Sequence, residues 1–383
     1  MVTVFWQFLM LGMCSFGGPA AHIGYFQQAF IIKRKWLTDE DFTQAIALCQ
    51  FLPGPASSQL GMYIGYKKAG YLGSIAAFIG FTLPSFVLLT FLAVANNEFG
   101  HAVIVEYIII AAKLLAVVVV TDALWGMIKK NLTSITTVIT ALLTMVWLIF
   151  SDGLLGQIVP IIIASIIGYL WSFKTQPVLN QQLIKPIRPH SGLLVTFLSL
   201  FVLLPFIVTA NGSVNLFTIF YQAGSFVFGG GHVVLPLLQP MLDGMITDNT
   251  FLSAYASAQL VPGPMFTMAS YLGASAMPST PLWGSLVATV AVFLPGSLLL
   301  FAFLPAWKAL FTHPRLTYAI LLINACVVGL LGSAFINPVI TSSIKSVSDV
   351  IAIVAGYILI KKWRCPVWML AIVLFIYVLI IKL

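Results

Sequence analysis

The chain has 383 residues, of which 60% are hydrophobic and only 7% charged, where soluble domains carry about a quarter charged residues. That composition excludes a water-soluble surface and makes the bilayer the solvent for most of the fold. The formal net charge of +8 falls in short Lys and Arg clusters between apolar runs. Such clusters set membrane topology and exclude a nucleic-acid-binding stripe.

In chain order, residues 3–16 and 20–32 form two apolar arms separated by Gly17-Gly18-Pro19, and residues 42–52 and 56–65 form two more around Pro53-Gly54-Pro55. At 1.5 Å rise per residue, arms of about 10 to 14 residues reach only about mid-membrane, which predicts re-entrant helical hairpins. Uncharged stretches at 72–95, 132–150 and 191–210 are long enough to cross the hydrocarbon as helices. They lack period-two alternation, so a barrel is excluded. The first apolar run has no basic flank and no small-residue cleavage site, so no removable signal peptide is expected. Cys14, Cys49, Cys326 and Cys365 are too scattered for metal or redox pairing. No cofactor and no metal are expected.

The landmarks recur. Ser15-Phe16-Gly17-Gly18-Pro19 returns as Val227-Phe228-Gly229-Gly230-Gly231, and Gln50-Phe51-Leu52-Pro53-Gly54-Pro55 as Gln259-Leu260-Val261-Pro262-Gly263-Pro264. Phe81-Thr82-Leu83-Pro84 matches Val292-Phe293-Leu294-Pro295, and Tyr107 matches Tyr318, both at a spacing of 211. Two related halves follow, residues 1–173 and 191–383, joined by a polar linker at 174–190, with 191–210 as an extra linking helix. With hairpins that return to their starting side, 15 of the 18 basic residues fall on one face; with kinked spans the split worsens to 12 against 5. The positive-inside rule prefers the hairpins. It places the N-terminus in the cytoplasm and the C-terminus outside. The extra helix inverts the second half relative to the first. The expected fold is an all-α polytopic membrane protein of two inverted repeats, each with two re-entrant or broken hairpins followed by about four transmembrane helices.

Phe16-Gly17-Gly18-Pro19 with His22 and Pro53-Gly54-Pro55, paired with Phe228-Gly229-Gly230-Gly231-His232 and Pro262-Gly263-Pro264, resembles the chromate transporter (CHR) family in its long, two-domain form. The resemblance covers nearly the whole chain. It implies a bacterial or archaeal inner-membrane protein linked to chromate export and resistance, with sulfate as the chemical look-alike and the two halves antiparallel.

A tetrahedral dianion at the midplane needs donors, and full charges there are expensive. Helices that start inside the membrane offer free N–H groups and a positive dipole end, the arrangement that broken-helix transporters use. Pro19, Pro55 and Pro264 are expected as first helical residues. Gly17, Gly18, Gly54, Gly229, Gly230, Gly231 and Gly263 allow backbone to approach a ligand closely. Ser57, Ser58 and Thr267 add hydroxyls after the turns. The bland reading is tight packing and kinks without ligand contact. Lys113 is the basic side chain expected deep in the membrane, facing the anion, with Asn324 as its equivalent in the second half. Its competing reading is a structural lysine paired with carbonyls or Glu106. His22 and His232 are candidates for anion binding or for carrying a coupling proton. Asp122 is expected to cap a helix or pair with Lys129 or Lys130, with proton coupling as its functional alternative. Tyr63 and Tyr271 match at a spacing of 208, where packing competes with donation to a ligand.

The chain contains no GxxxxGK(S/T) loop, which leaves an ion gradient or exchange to supply energy. A membrane enzyme would need a flavin, haem or iron-sulfur ligand set or a GxSxG elbow, and none is visible. The expected function is a secondary transporter of an inorganic oxyanion, chromate efflux first. A passive anion channel and an uptake carrier for sulfate or another oxyanion are the alternatives. The expected partners are the anion, a coupling proton or sodium ion, and membrane lipid, with a homodimer as a candidate assembly and no nucleic acid.

Overall fold

A computed structural model describes every residue except 17, 100–102, 152, 176–188, 208–211, 228–233, 306–313, 364 and 383. The described chain is all-helical, as composition required. The first half holds α1 (Val2–Cys14), α2 (Gly18–Phe26, continuing as a π-helical turn Gln27–Lys33), α3 (Asp39–Phe51), α4 (Ala56–Phe99), α5 (Val103–Asn131), α6 (Ile135–Phe150) and α7 (Gly153–Thr175). After α8 (Ser191–Leu203) come α9 (Gly212–Phe226), α10 (Val234–Leu238), α11 (Asp248–Leu260), α12 (Met268–Ala276), α13 (Pro281–Phe303), α14 (Pro314–Ala334), α15 (Val347–Trp363) and α16 (Val367–Lys382). An irregular stretch, Phe335–Ile340 then Thr341–Ser343, extends α14.

Local chemistry sets the boundaries. The Thr38 hydroxyl accepts from the Asp41 N–H at 3.1 Å, and Asp39, Glu40 and Asp41 fill the first turn of α3 beside the positive end of its dipole. The same device recurs at α11, where Thr247 accepts from the Thr250 N–H at 3.2 Å and Asp248 occupies the first turn. α6 opens with a capping box between Ser134 and Thr137. α4 is two helical segments meeting at Ala69 and Gly70, whose φ of +64° only glycine adopts readily. The segments fold closely together there, Gly65 against Gly73; the second half repeats this with Gly273 against Gly284 between α12 and α13.

Within the described residues, Ala56–Asn96, Glu106–Asn131, Pro281–Phe303 and Tyr318–Ser343 are long and apolar enough to cross a membrane. Phe91, Leu143 and Phe150 are exposed along the outside of the fold, a surface that suits lipid. The arms around the glycine-proline motifs lie side by side. Phe8 of α1 meets Phe26 and Phe30 at ring-centroid distances of 5.5 and 4.8 Å, and Arg34 donates to Gln7. Across the next pair, Lys67 of α4 and Asp41 of α3 form an ion pair at 3.7 Å, joining the ends remote from the Pro53-Gly54-Pro55 turn.

The halves are interlocked. α14 packs against α6 and α7, which precede it by half the chain, and α5 packs against α15 and α16. Glycines make these contacts close: a Cβ on Gly168 would lie 2.6 Å from the Ala319 Cα, and one on Gly356 would lie 3.2 Å from Val118 and Leu370 side chains. One contiguous buried cluster accordingly draws residues from both halves.

Candidate functional site

The two Pro-Gly-Pro turns and the end of α1 converge at the centre of the fold. Leu52 and Val261, the C-caps of α3 and α11, are extended, and Gly54 and Gly263 follow at φ of +118° and +110°. Gly54 donates its N–H to the Val227 carbonyl at 2.8 Å, and Gly263 donates its own to the Ser15 carbonyl at 2.9 Å. Each turn is thus tied to the residue that opens the glycine motif of the opposite half. Each also presses on the opposite half's long helix. A Cβ on Gly54 would fall 2.8 Å from the Gly296 Cα in α13, and one on Gly263 would fall 2.8 Å from the Ser85 Oγ in α4. Glycine is required at both positions for two independent reasons, the backbone conformation and the room.

Several polar side chains are buried around this junction. Gln59, 1% exposed, donates from Nε2 to the carbonyls of Pro53 at 3.0 Å and Gly296 at 2.9 Å, bracing the first turn against α13. Its Oε1 and the Ser58 hydroxyl have no hydrogen-bond partner among the described residues. On the other side of the junction, His22 is fully buried, edge-on to Phe81 at 5.2 Å and next to the Ser15 backbone. Neither of its ring nitrogens meets hydrogen-bond geometry with a described residue, and the Ser15 and Thr82 hydroxyls are likewise unpaired. Buried polar atoms almost always find partners, and leaving one unmade costs about 1–3 kcal/mol. Among the described residues these unpaired groups lie near the starts of α2 and α4.

Gly54 and Gly263 each contact the opposite half, and Ser57, Ser58 and Thr267 are buried in the turns that follow them. Pro19 is the second residue of α2, but Pro55 and Pro264 each sit one residue ahead of the helix and not at its first position. The Pro55 carbonyl accepts from the Gln59 N–H at 2.9 Å, so it closes the first turn from the cap position. Thr267 gives its hydroxyl proton to the Pro264 carbonyl and Ser270 gives its own to Thr267, so these hydroxyls serve the turn. Gly17, Gly229, Gly230, Gly231 and His232 lie outside the described residues. Tyr63 and Tyr271 are buried at 5% and 3% exposure.

Lys113 is not brought to the turns. Its ammonium donates to the Asn249 side-chain oxygen and, at 3.5 Å, to the Ser342 carbonyl. Asn249 is in the first turn of α11 and Gly263 lies beyond the other end of that helix, about 20 Å away at helical rise. The carbonyl-paired reading of Lys113 therefore fits, with Asn249 where Glu106 was the expected partner. Asn324 is half-buried on α14, near Cys326, which accepts from Thr144 at 3.4 Å. Asp122 pairs with Lys361 of α15 and not with Lys129 or Lys130 of its own helix; Lys129 instead lies over the Trp125 ring at 5.0 Å. Gln59, Ser15, Thr82 and Ser85 were not singled out by sequence. Ser15 and Thr82 stood in repeated motifs without being assigned a role, and Gln59 and Ser85 had no signal beyond lying near a turn motif.

An all-helical fold with several helices long and apolar enough to cross a bilayer is that of a multi-pass membrane protein. The chromate transporter family profile matches residues 2–208 and 214–380, and the chain belongs to that family. It is a transporter and not an enzyme. A probable chromate transport protein from Synechococcus elongatus is 28% identical, covering 93% of this chain and 88% of the relative. A chromate transport protein from Cupriavidus metallidurans is 29% identical over 78% of this chain and 72% of its own. An uncharacterized transporter from Methanocaldococcus jannaschii is 27% identical over 95% and 90%. No solved structure gives a significant match.

Proposed function

We propose that this protein exports chromate across a prokaryotic plasma membrane as a secondary transporter, with sulfate as the analogue that competes for the same site. The observation that carries the reading is the reciprocal crossing of Gly54 onto Val227 and of Gly263 onto Ser15, with unpaired buried polar groups gathered around it. A doubly negative guest there would receive the first-turn N–H groups of α4 and of the helical turn after Pro264, together with the Ser58 hydroxyl. Gly18 and Pro19 would add the start of α2 to the donors, and Gly17, Gly229, Gly230, Gly231 and His232 remain proposed contributors from the glycine motifs. The donors are peptide and hydroxyl groups, which avoids an uncompensated charge in the empty carrier.

The paired arms support re-entrant hairpins, because the Asp41–Lys67 ion pair holds both outer ends of one pair at the same level. The repeated close contacts, Gly65 with Gly73 and Gly273 with Gly284, fit two inverted repeats. The cytoplasmic N-terminus and external C-terminus follow from the basic-residue count. Coupling falls to His22 and His232, because the ion pair with Lys361 occupies Asp122. His22 is at the junction, and its protonation would add a donor where the anion sits.

The test is flux of radiolabelled chromate and sulfate in proteoliposomes, with imposed proton or sodium gradients and competing molybdate and phosphate. Saturable chromate flux that follows one ion's gradient and is inhibited by sulfate is expected. Absence of any oxyanion flux in folded preparations would overturn the proposal, and gradient-independent, unsaturable flux would make the protein a channel.

A further inference from the structure

Gln59 decides which form of an oxyanion the start of α4 can hold. Its side chain turns back over the first turn of its own helix, where Nε2 donates to the carbonyls of Pro53 at 3.0 Å and Gly296 at 2.9 Å. Both partners are acceptors, so the amide has one possible orientation, with Oε1 left as an acceptor. Oε1 shares a carbon with Nε2, which keeps it beside the Pro53-Gly54-Pro55 turn. Gln59 is 1% exposed, and its Oε1 has no hydrogen-bond partner among the described residues. The repeat supplies no second acceptor of this kind. The spacing of 209 that relates Gln50 to Gln259 puts Met268 where Gln59 stands, and Thr267, the equivalent of Ser58, gives its hydroxyl proton to the Pro264 carbonyl.

A fully deprotonated oxyanion carries acceptors only. At the start of α4 its oxygens would take the N–H groups of Ala56, Ser57 and Ser58, which precede the helical bond from the Gln59 N–H to the Pro55 carbonyl. It would also set one acceptor against another at Oε1. An oxyanion with one proton meets both demands, since its bare oxygens accept from the helix start and its O–H donates to Oε1. We propose that the site binds its oxyanion singly protonated, with Gln59 Oε1 as the acceptor that reads the proton. This rests on the anion position proposed above and exchanges one of the guest's two charges for a bound proton, which lowers the cost of carrying it through the membrane. Acid strength then sorts the candidate anions. Chromate keeps a proton on part of its population near neutral pH, whereas sulfate holds one only in strong acid. Sulfate therefore competes for the site, but weakly.

The elements packed against α4 bring other titratable groups: the buried His22, Cys49, Tyr255 and Tyr271 and the exposed Cys14 and Tyr25, with Tyr63 on α4 itself. The acidic first turn of α3 and Lys67 lie at the ends remote from the turn, and α13 carries no titratable side chain. Of these groups, histidine is the one that ordinarily titrates near neutral pH, so the test must separate a proton on the anion from a proton on His22. Equilibrium binding of radiolabelled chromate and of radiolabelled sulfate to the folded full-length protein in nanodiscs, from about pH 5.5 to 8.5, does so. Apparent chromate affinity should level off at the acid end and fall about tenfold per pH unit at the alkaline end, as its protonated share falls. Sulfate should bind at least about tenfold more weakly than chromate at the acid end and not change with pH. Affinities of both anions that rise together on acidification would assign the proton to the protein and overturn the proposal. Equal, pH-independent affinities would also overturn it while leaving the anion site standing, and no binding of either anion would remove the site itself. Gln59→Lys offers donors to the same two carbonyls and no acceptor, so it should bring sulfate level with chromate and flatten the chromate profile; unchanged discrimination in this variant would overturn the role of Oε1. The comparison of the two anions on the wild-type protein decides the matter even where that variant fails to fold.

Discussion

Replacing Gly263 by alanine should destabilise the protein more than the same change at Gly244 or Gly24, by an amount the geometry sets. At φ of +110° an L-residue is strained by about 1–3 kcal/mol. The new Cβ would stand 2.8 Å from Ser85 Oγ and 3.2 Å from its Cβ, which adds about 1–3 kcal/mol of overpacking. The sum, about 2–6 kcal/mol, is a large part of ordinary protein stability. Gly244, at φ +76° with nothing within 4 Å of its would-be Cβ, isolates the backbone part at about 1–2 kcal/mol. Gly24, helical and equally open, should tolerate alanine or gain up to about 1 kcal/mol. Two of the cysteines, Cys49 and Cys326, are buried free thiols. Their labelling on heating reports unfolding directly once Cys14 and Cys365 are replaced by serine. The expected order of unfolding temperatures is Gly24→Ala at or above wild type, then Gly244→Ala, then Gly263→Ala. Ser85→Ala should recover part of the loss. Equal losses for Gly244→Ala and Gly263→Ala, or no rescue by Ser85→Ala, would refute the close-contact argument.

Gln59→Leu removes both bonds that brace the first turn and should cost about 1–3 kcal/mol; the same thiol assay would register it, and chromate affinity should fall because the α4 start loses its fixed position. Lys113→Met should lower the unfolding temperature while leaving chromate affinity within about twofold of wild type, since the ammonium serves Asn249 and Ser342; a larger affinity loss in an equilibrium binding measurement would return Lys113 to the site. Ser58→Ala should weaken chromate binding by about 1 kcal/mol, roughly fivefold, without lowering unfolding temperature, because its hydroxyl has no described protein partner.

The helices and turns were legible because their causes are local. Pro53-Gly54-Pro55 and its counterpart could only interrupt a helix, and Gly18, Gly54 and Gly263 are left-handed within the motifs, whereas the left-handed Gly70 and Gly244 lie outside any motif. What lay beyond reading was the pairing between halves. A sequence offset relates Lys113 to Asn324, but it cannot say that the start of α11 comes to meet Lys113. Asp122 is spaced from Lys129 by about two helical turns, which made a local partner plausible, yet its charge is met by Lys361 more than two hundred residues away. Gln59, Ser15 and Ser85 acquire meaning only through Gly296 and Gly263 in the other half. Hydropathy patterns carry no record of such contacts.

The exchange of outer helices has a consequence for biosynthesis. α5 is shielded by α15 and α16, which leave the ribosome long after it. Through most of translation it must therefore wait in the membrane with its intended neighbours not yet made, covered by lipid or by a helper protein. Truncation before α15 should strand the first half with α5 uncovered, so that half gains its full packing only once α15 and α16 have been inserted.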